Sequence, residues 1–183
     1  TLTLATAGNL SLTQSVVSLL HEGVPNPETG EPETLQNAPS MFRAAQLVGR
    51  AVRRVRETDG DALRDAGVKY DMSLLFGGQI IGQPMRLFMI YAAGNFIECG
   101  MDSPFLQIGE HKYGKPILDR AVTFRTDLYD ALKVGLISMD STMRSNLGVG
   151  LPIDLIMLRR DAEAPELNRR IEAGEPYFHD LRE

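Results

Sequence analysis

Apolar positions recur in this chain with two periods, and the period changes as the chain proceeds. Leu2 to Ala7 is a short apolar run containing threonine, the pattern of a buried strand. It ends at Gly8, where the backbone carries no side chain and another group can come close. Ser11-x-x-Gln14 then reads as a capping box, and Leu12, Val16, Leu19 and Leu20 continue at helical spacing to Glu22-Gly23. Val24 to Ala38, with Pro25, Pro27, Gly30 and Pro32, and Pro39 after it, predicts an exposed connection. Met41, Ala44, Ala45, Val48, Ala51, Val52 and Val55 form a single helical stripe, with Arg43, Arg50, Arg53, Arg54 and Arg56 largely off it. Asp61 to Ala66 predicts a further short helical turn before Gly67.

The period then drops to two. Tyr70, Met72, Leu74 and Phe76 alternate with Asp71, Ser73 and Leu75, which predicts a strand with one buried face. Met85 to Tyr91 predicts a second strand, and Ala93-Gly94-Asn95 a hairpin turn into Phe96 to Cys99. Pro104 to Ile108 is expected to add a short strand. Helical spacing returns with a helix starting at Gly114-Lys115-Pro116 and a longer one capped by Thr126-Asp127, striped by Leu128, Ala131, Leu132, Leu136 and Met139. Val149 to Leu158 predicts a last strand, and the chain from Arg159 is charged. The expected division is a domain over 1–158 and a charged tail over 159–183. Strand, two helices, antiparallel strands, two helices and strand suggest an α+β sandwich of helix, sheet, sheet and helix layers. A Rossmann reading fails, because Gly77-Gly78 is followed by strand and not helix.

Composition narrows the partners. A net charge of −5 gives no electrostatic case for nucleic acid or for an anionic membrane surface. No apolar run approaches spanning length. The single cysteine, Cys99, excludes an internal disulfide framework and fits a reducing, cytoplasmic setting. His21, His111 and His179 have no metal-ligand spacing, so neither metal nor cofactor is expected.

Chemistry is sparse on residues alone. A strand that turns through Gly8 into a helix can aim N–H groups at an anion or a developing oxyanion, although many such corners only pack. Asp140 to Asn146 is a dense polar run that either positions a proton relay or caps the helix end. A threonine at a free amino terminus can be a nucleophile with its own amine as base. Thr1, however, leads straight into the first strand, with no carboxylate or lysine in the first twenty residues.

Longer segments carry a resemblance. Leu4-Ala5-Thr6-Ala7-Gly8-Asn9-Leu10, Leu74 to Ile80, Ile90 to Glu98, Pro104 to Arg120 and Asp140 to Leu155 are similar, in this order, to the Anbu (ancestral β-subunit) family of bacterial proteasome-type proteases. The resemblance implies an N-terminal-nucleophile hydrolase fold, the four-layer αββα sandwich of proteasome β-subunits. It implies peptide or protein substrates, threonine-type hydrolysis, and a homo-oligomeric ring or spiral, with no unfoldase identified. The threonine, lysine and aspartate of that superfamily sit ahead of the Ala-Gly corner, so the chain is expected to lack those strands and the nucleophile. By position, Gly8 matches the oxyanion-hole glycine, and Thr6 and Leu10 match residues flanking the specificity pocket. Asp140 and Ser145 are candidates for the pair that orients the amino terminus. Glu110 stands where the superfamily has a serine. A non-catalytic assembly subunit of the same fold is the alternative.

Overall fold

In the computed structural model, which describes residues 1–180, the first strand β1 (Leu2–Gly8) pairs antiparallel along its full length with β4 (Met72–Gly78). β4 pairs with β5 (Arg86–Tyr91), and β5 with β6 (Phe96–Glu98), giving a sheet ordered β1-β4-β5-β6. The predicted alternation is real: Met72, Leu74, Phe76, Phe88 and Ile90 are all buried. Against them pack α1 (Leu10–Glu22), through Leu12, Val16 and Leu20, and α2 (Met41–Asp65), through the stripe from Met41 to Val55. A β-ribbon of β2 (Val24–Pro25) and β3 (Pro32–Glu33) and one 3-10 turn at Leu35–Asn37 occupy the proline-rich connection. All of this lies in one compact unit, Leu2–Glu98.

α2 and the β5–β6 turn meet backbone to backbone. A Cβ built on Gly49 would lie 2.3 Å from the Gly94 carbonyl oxygen, and one on Gly94 would lie 2.4 Å from that of Gly49. Gly94 has φ +76°, which turns the hairpin, and Arg53 donates from Nη1 to its carbonyl at 3.0 Å. The helix itself runs unbroken to Asp65, so the separate turn expected at Asp61 to Ala66 is simply its last part.

The second compact unit comprises Cys99 onward together with Thr1. It holds α3 (Lys115–Ala121), α4 (Leu128–Ser145), β7 (Ile153–Met157), β8 (Leu167–Ile171) and a short α5 (Pro176–Asp180). Asp127 caps α4, accepting from the Tyr129 N–H at 2.8 Å. Leu136, Ile153, Ile171 and Phe178 form this unit's core, with Leu132, Met139 and Leu155 against it.

Two expectations need correction here. Pro104 to Ile108 is not a strand; Phe105, Leu106 and Ile108 are half-buried without joining a ladder. β8 lies inside the segment read as a charged tail. Its apolar ends, Leu167 and Ile171, face the same way four residues apart, while Arg170 reaches Asp154 on β7 through two bonds of 2.7 and 2.8 Å.

Candidate functional site

The corner between β1 and α1 is shaped by Gly8 and Asn9. Gly8 has φ +104°, and a Cβ there would lie 2.5 Å from the Asp71 carbonyl oxygen and 2.9 Å from the Met72 Cα. Both the backbone conformation and the closeness of β4 therefore demand glycine. Asn9 donates its N–H to the Asp71 carbonyl at 2.9 Å, tying the corner to the start of β4.

Asn9, and not Ser11, is the N-cap. Its Oδ1 accepts from the Ser11 N–H at 3.0 Å, the Leu12 N–H at 3.4 Å and the Ser11 hydroxyl at 2.8 Å. The capping box expected at Ser11-x-x-Gln14 does not form; the N-cap lies two residues earlier, because the Asn9 amide satisfies the first-turn donors. Those two N–H groups are thus not offered to a ligand. Gly8 itself is exposed, as are Thr6 and Leu10, Leu10 to 67%. Thr6 and Gly8 end β1 and Leu10 begins α1.

Thr1 is not at the corner. Leu2 and Gly8 are the two ends of one strand, about 20 Å apart at the usual rise per residue. The Thr1 hydroxyl donates instead to the Glu163 carbonyl at 3.2 Å.

Asp140 and Ser145 both lie on α4, but they do not converge. Five helical residues separate them by about 140° around the axis. Asp140 accepts from Arg144 Nε at 2.8 Å and has 15% of its side chain exposed. Ser145 closes the helix on its exposed side.

What sequence reasoning missed is a link between two loops it quoted separately. Glu110 accepts from the Asn146 side-chain amide at 2.8 Å and from the Lys112 N–H at 2.7 Å. These two bonds, the backbone one first, hold the Glu110 carboxyl below its ordinary range. Gly114 then presses on α4, where its Cβ would meet the Ser138 hydroxyl at 2.4 Å and that of Thr142 at 2.8 Å. Ser138 and Thr142 are buried and small, which is what lets the loop seat there. The glutamate bonding to the N–H two residues on is a local signal; its reach to Asn146, 36 residues away, is not.

Beside β1 and α1 a cavity of about 470 Å³ is lined by Leu2, Leu4, Val17, Leu20, Leu35 and Phe76, with His21 at its margin. His111 Nε2 is 3.1 Å from the Gln107 carbonyl oxygen, and the side chain of His179 lies outside the described residues. Among the described residues no group of three His, Cys, Asp or Glu could hold a metal ion, and no helix is long and apolar enough to cross a membrane.

An antiparallel sheet that turns through a glycine corner into a covering helix pair, followed by a second helix-on-sheet unit, defines the class. It is an α+β fold of the proteasome β-subunit type, within the N-terminal-nucleophile hydrolases. The chain superposes on Anbu from Hyphomicrobium sp. strain MC1, in its Gly-1 mutant form, at 48% identity and a TM-score of 0.87, covering 99% of this chain and 73% of that one. Anbu from Yersinia bercovieri matches at 46% and 0.87, and the helical assembly of the Anbu complex from Pseudomonas aeruginosa at 44% and 0.87, each with the same coverages. No protein-family model and no curated protein matches the chain. The chain belongs to the Anbu family, the ancestral β-subunits.

Proposed function

We propose that this chain is the body of a self-assembling subunit of the Anbu fold, and that assembly is its principal contribution. The observation that carries this is the number of large apolar side chains left in water, among them Leu10, Ile81, Met101, Phe124, Leu147 and Ile156, with Phe124 at 59% and Ile156 at 51% exposure. The relative from Pseudomonas aeruginosa, described as a helical assembly, supports a repeating homo-oligomer. Sedimentation velocity on the full-length protein at micromolar concentration tests it. Particles of many subunits are expected, and a monomer refutes the proposal.

A second reading, threonine-type peptide hydrolysis, is favoured by one specific feature, the glycine-demanding corner at Gly8. In this reading the Gly8 N–H stabilises the oxyanion, and Thr6 and Leu10 flank the pocket of an extended peptide. Asp140 and Ser145 would orient the amino terminus, a role their separation around α4 supports poorly. The reading needs no cofactor and is set in the cytoplasm. Turnover of fluorogenic peptide amides, with intact-mass detection of an adduct from an electrophile directed at N-terminal nucleophiles, separates the two. Assembly without turnover or adduct supports the first reading; both signals together support the second.

A further inference from the structure

A cavity of about 810 Å³ in the Leu2–Glu98 unit is remote in sequence from the β1–α1 corner and has a different chemistry. One wall is a single stripe of α2. Arg53, Arg56, Gly60 and Arg64 recur at helical spacing, so their Cα atoms lie along one face. The other wall is the returning segment that carries Lys69 and Tyr70.

Charge on these walls is unbalanced. Glu57 pairs with Arg54 at 3.5 Å and Asp61 with Arg64 at 3.1 Å. Among the described residues, no carboxylate pairs with Arg53, Arg56 or Lys69. The lining thus holds four cations, Arg53, Arg56, Arg64 and Lys69, against two carboxylates, Glu57 and Asp61, in a protein whose net charge is −5.

Two of them are already held in place. The Arg53 guanidinium is anchored on the Gly94 carbonyl at 3.0 Å. The Arg56 guanidinium lies 5.7 Å from the centre of the Tyr70 ring, and that ring is fixed by its own hydroxyl donating to the Val52 carbonyl at 2.9 Å. Gly60, midway along the helical wall, brings no side chain, and only the Arg56 Cγ lies within 4 Å of where its Cβ would be, at 3.5 Å. Preordered guanidinium groups with spare donors, and no acceptor of their own, suit phosphate oxygens better than a lone ammonium would.

We propose that this cleft between α2 and the Lys69-Tyr70 segment binds an oligophosphate, a ligand carrying several phosphate charges. Arg56 and Lys69 supply the principal contacts and Arg53 sets the inner end. The site is independent of whether the Gly8 corner performs chemistry.

The test is calorimetric titration of the full-length protein with inorganic tripolyphosphate in low-salt buffer. The Arg56→Ala/Lys69→Ala double variant and Arg125→Ala, an exposed arginine of the other unit, serve as the comparison. Saturable binding at one site per chain is expected, weakened at least about tenfold in the double variant and unchanged in Arg125→Ala. Affinity should fall steeply with added salt. Circular dichroism melts that match wild type show that the double variant is folded; single variants at Arg56 and Lys69 replace it where they do not. The proposal is overturned by non-saturable uptake, by equal weakening in Arg125→Ala, or by binding that the double variant leaves intact. It is also overturned where tripolyphosphate fails to bind while the double variant changes the sedimentation coefficient, which would make the cleft a contact between copies.

Discussion

Alanine at Gly49 and alanine at Gly60 should move the stability of this protein in opposite directions, although both glycines lie in α2. Intrinsic propensity favours alanine at either position by about 0.8–1 kcal/mol. At Gly60 the new Cβ meets only the Arg56 Cγ, at 3.5 Å, which is an ordinary contact. At Gly49 the new Cβ lies 2.3 Å from the Gly94 carbonyl oxygen, so α2 and the β5–β6 turn must part by about 1 Å. That oxygen cannot yield alone. It belongs to a turn held by the Gly94 N–H donating to the Tyr91 carbonyl at 2.8 Å, and it also receives the Arg53 guanidinium. Overpacking of this kind costs about 1–3 kcal/mol, enough to exceed the propensity gain. Thermal melts followed by far-UV circular dichroism check this, each kcal/mol moving Tm by roughly 2–4 °C in a chain of this size. Gly60→Ala should melt above wild type and Gly49→Ala below it. A Gly49→Ala protein that melts as high as Gly60→Ala would refute the backbone contact.

Two further outcomes follow from single interactions. Asn9→Ala should cost about 1 kcal/mol in chemical denaturation and Asn9→Ser much less, because serine keeps an acceptor for the first-turn N–H groups of α1. Glu98 is held below its ordinary 4.5 first by its hydrogen bonds with Arg86, at 2.6 Å each, against the opposing effect of burial. A depressed carboxyl contributes stability that is present above its unfolded value and is lost as pH falls through its folded value. Wild type should therefore exceed Glu98→Gln by a constant margin at neutral pH, at most about 1 kcal/mol for so exposed a pair. Below pH 4.5 the margin should shrink, and urea titrations from pH 7 to pH 3 that show it growing would contradict the assignment.

How far the chain could be read depended on whether the decisive signal was local. The α2 stripe, the β4 alternation and the Gly94 hairpin each announce themselves within a few residues, and the structure holds all three. β8 did not, because Leu-Asn-Arg-Arg-Ile offers only two apolar positions and its partner β7 lies ten residues earlier in the chain. Pro104 to Ile108 failed in the other direction: an apolar run marks burial, and burial alone does not supply a partner strand. At the candidate site, Thr6, Gly8 and Leu10 share one corner because they are close in the chain, which leaves their roles to the experiments on turnover. Asp140 and Ser145 lie five residues apart on α4, a spacing that sets them on different sides of the helix. The Glu110–Asn146 bond was beyond reach, as nothing local brings a loop to a helix end 36 residues later.

The core around Leu74, Phe76, Phe88 and Ile90 draws every one of its buried members from Leu12 to Ile90. It therefore has all its parts before Cys99 is added to the chain. On a ribosome, where synthesis takes about 5–20 residues per second, the residues of this core are made a few seconds before Leu136 and Ile153 of the second core. Growth of the polypeptide thus imposes an order on folding. Apolar side chains made early have their partners within the same stretch of chain, and the second core draws only on residues made later.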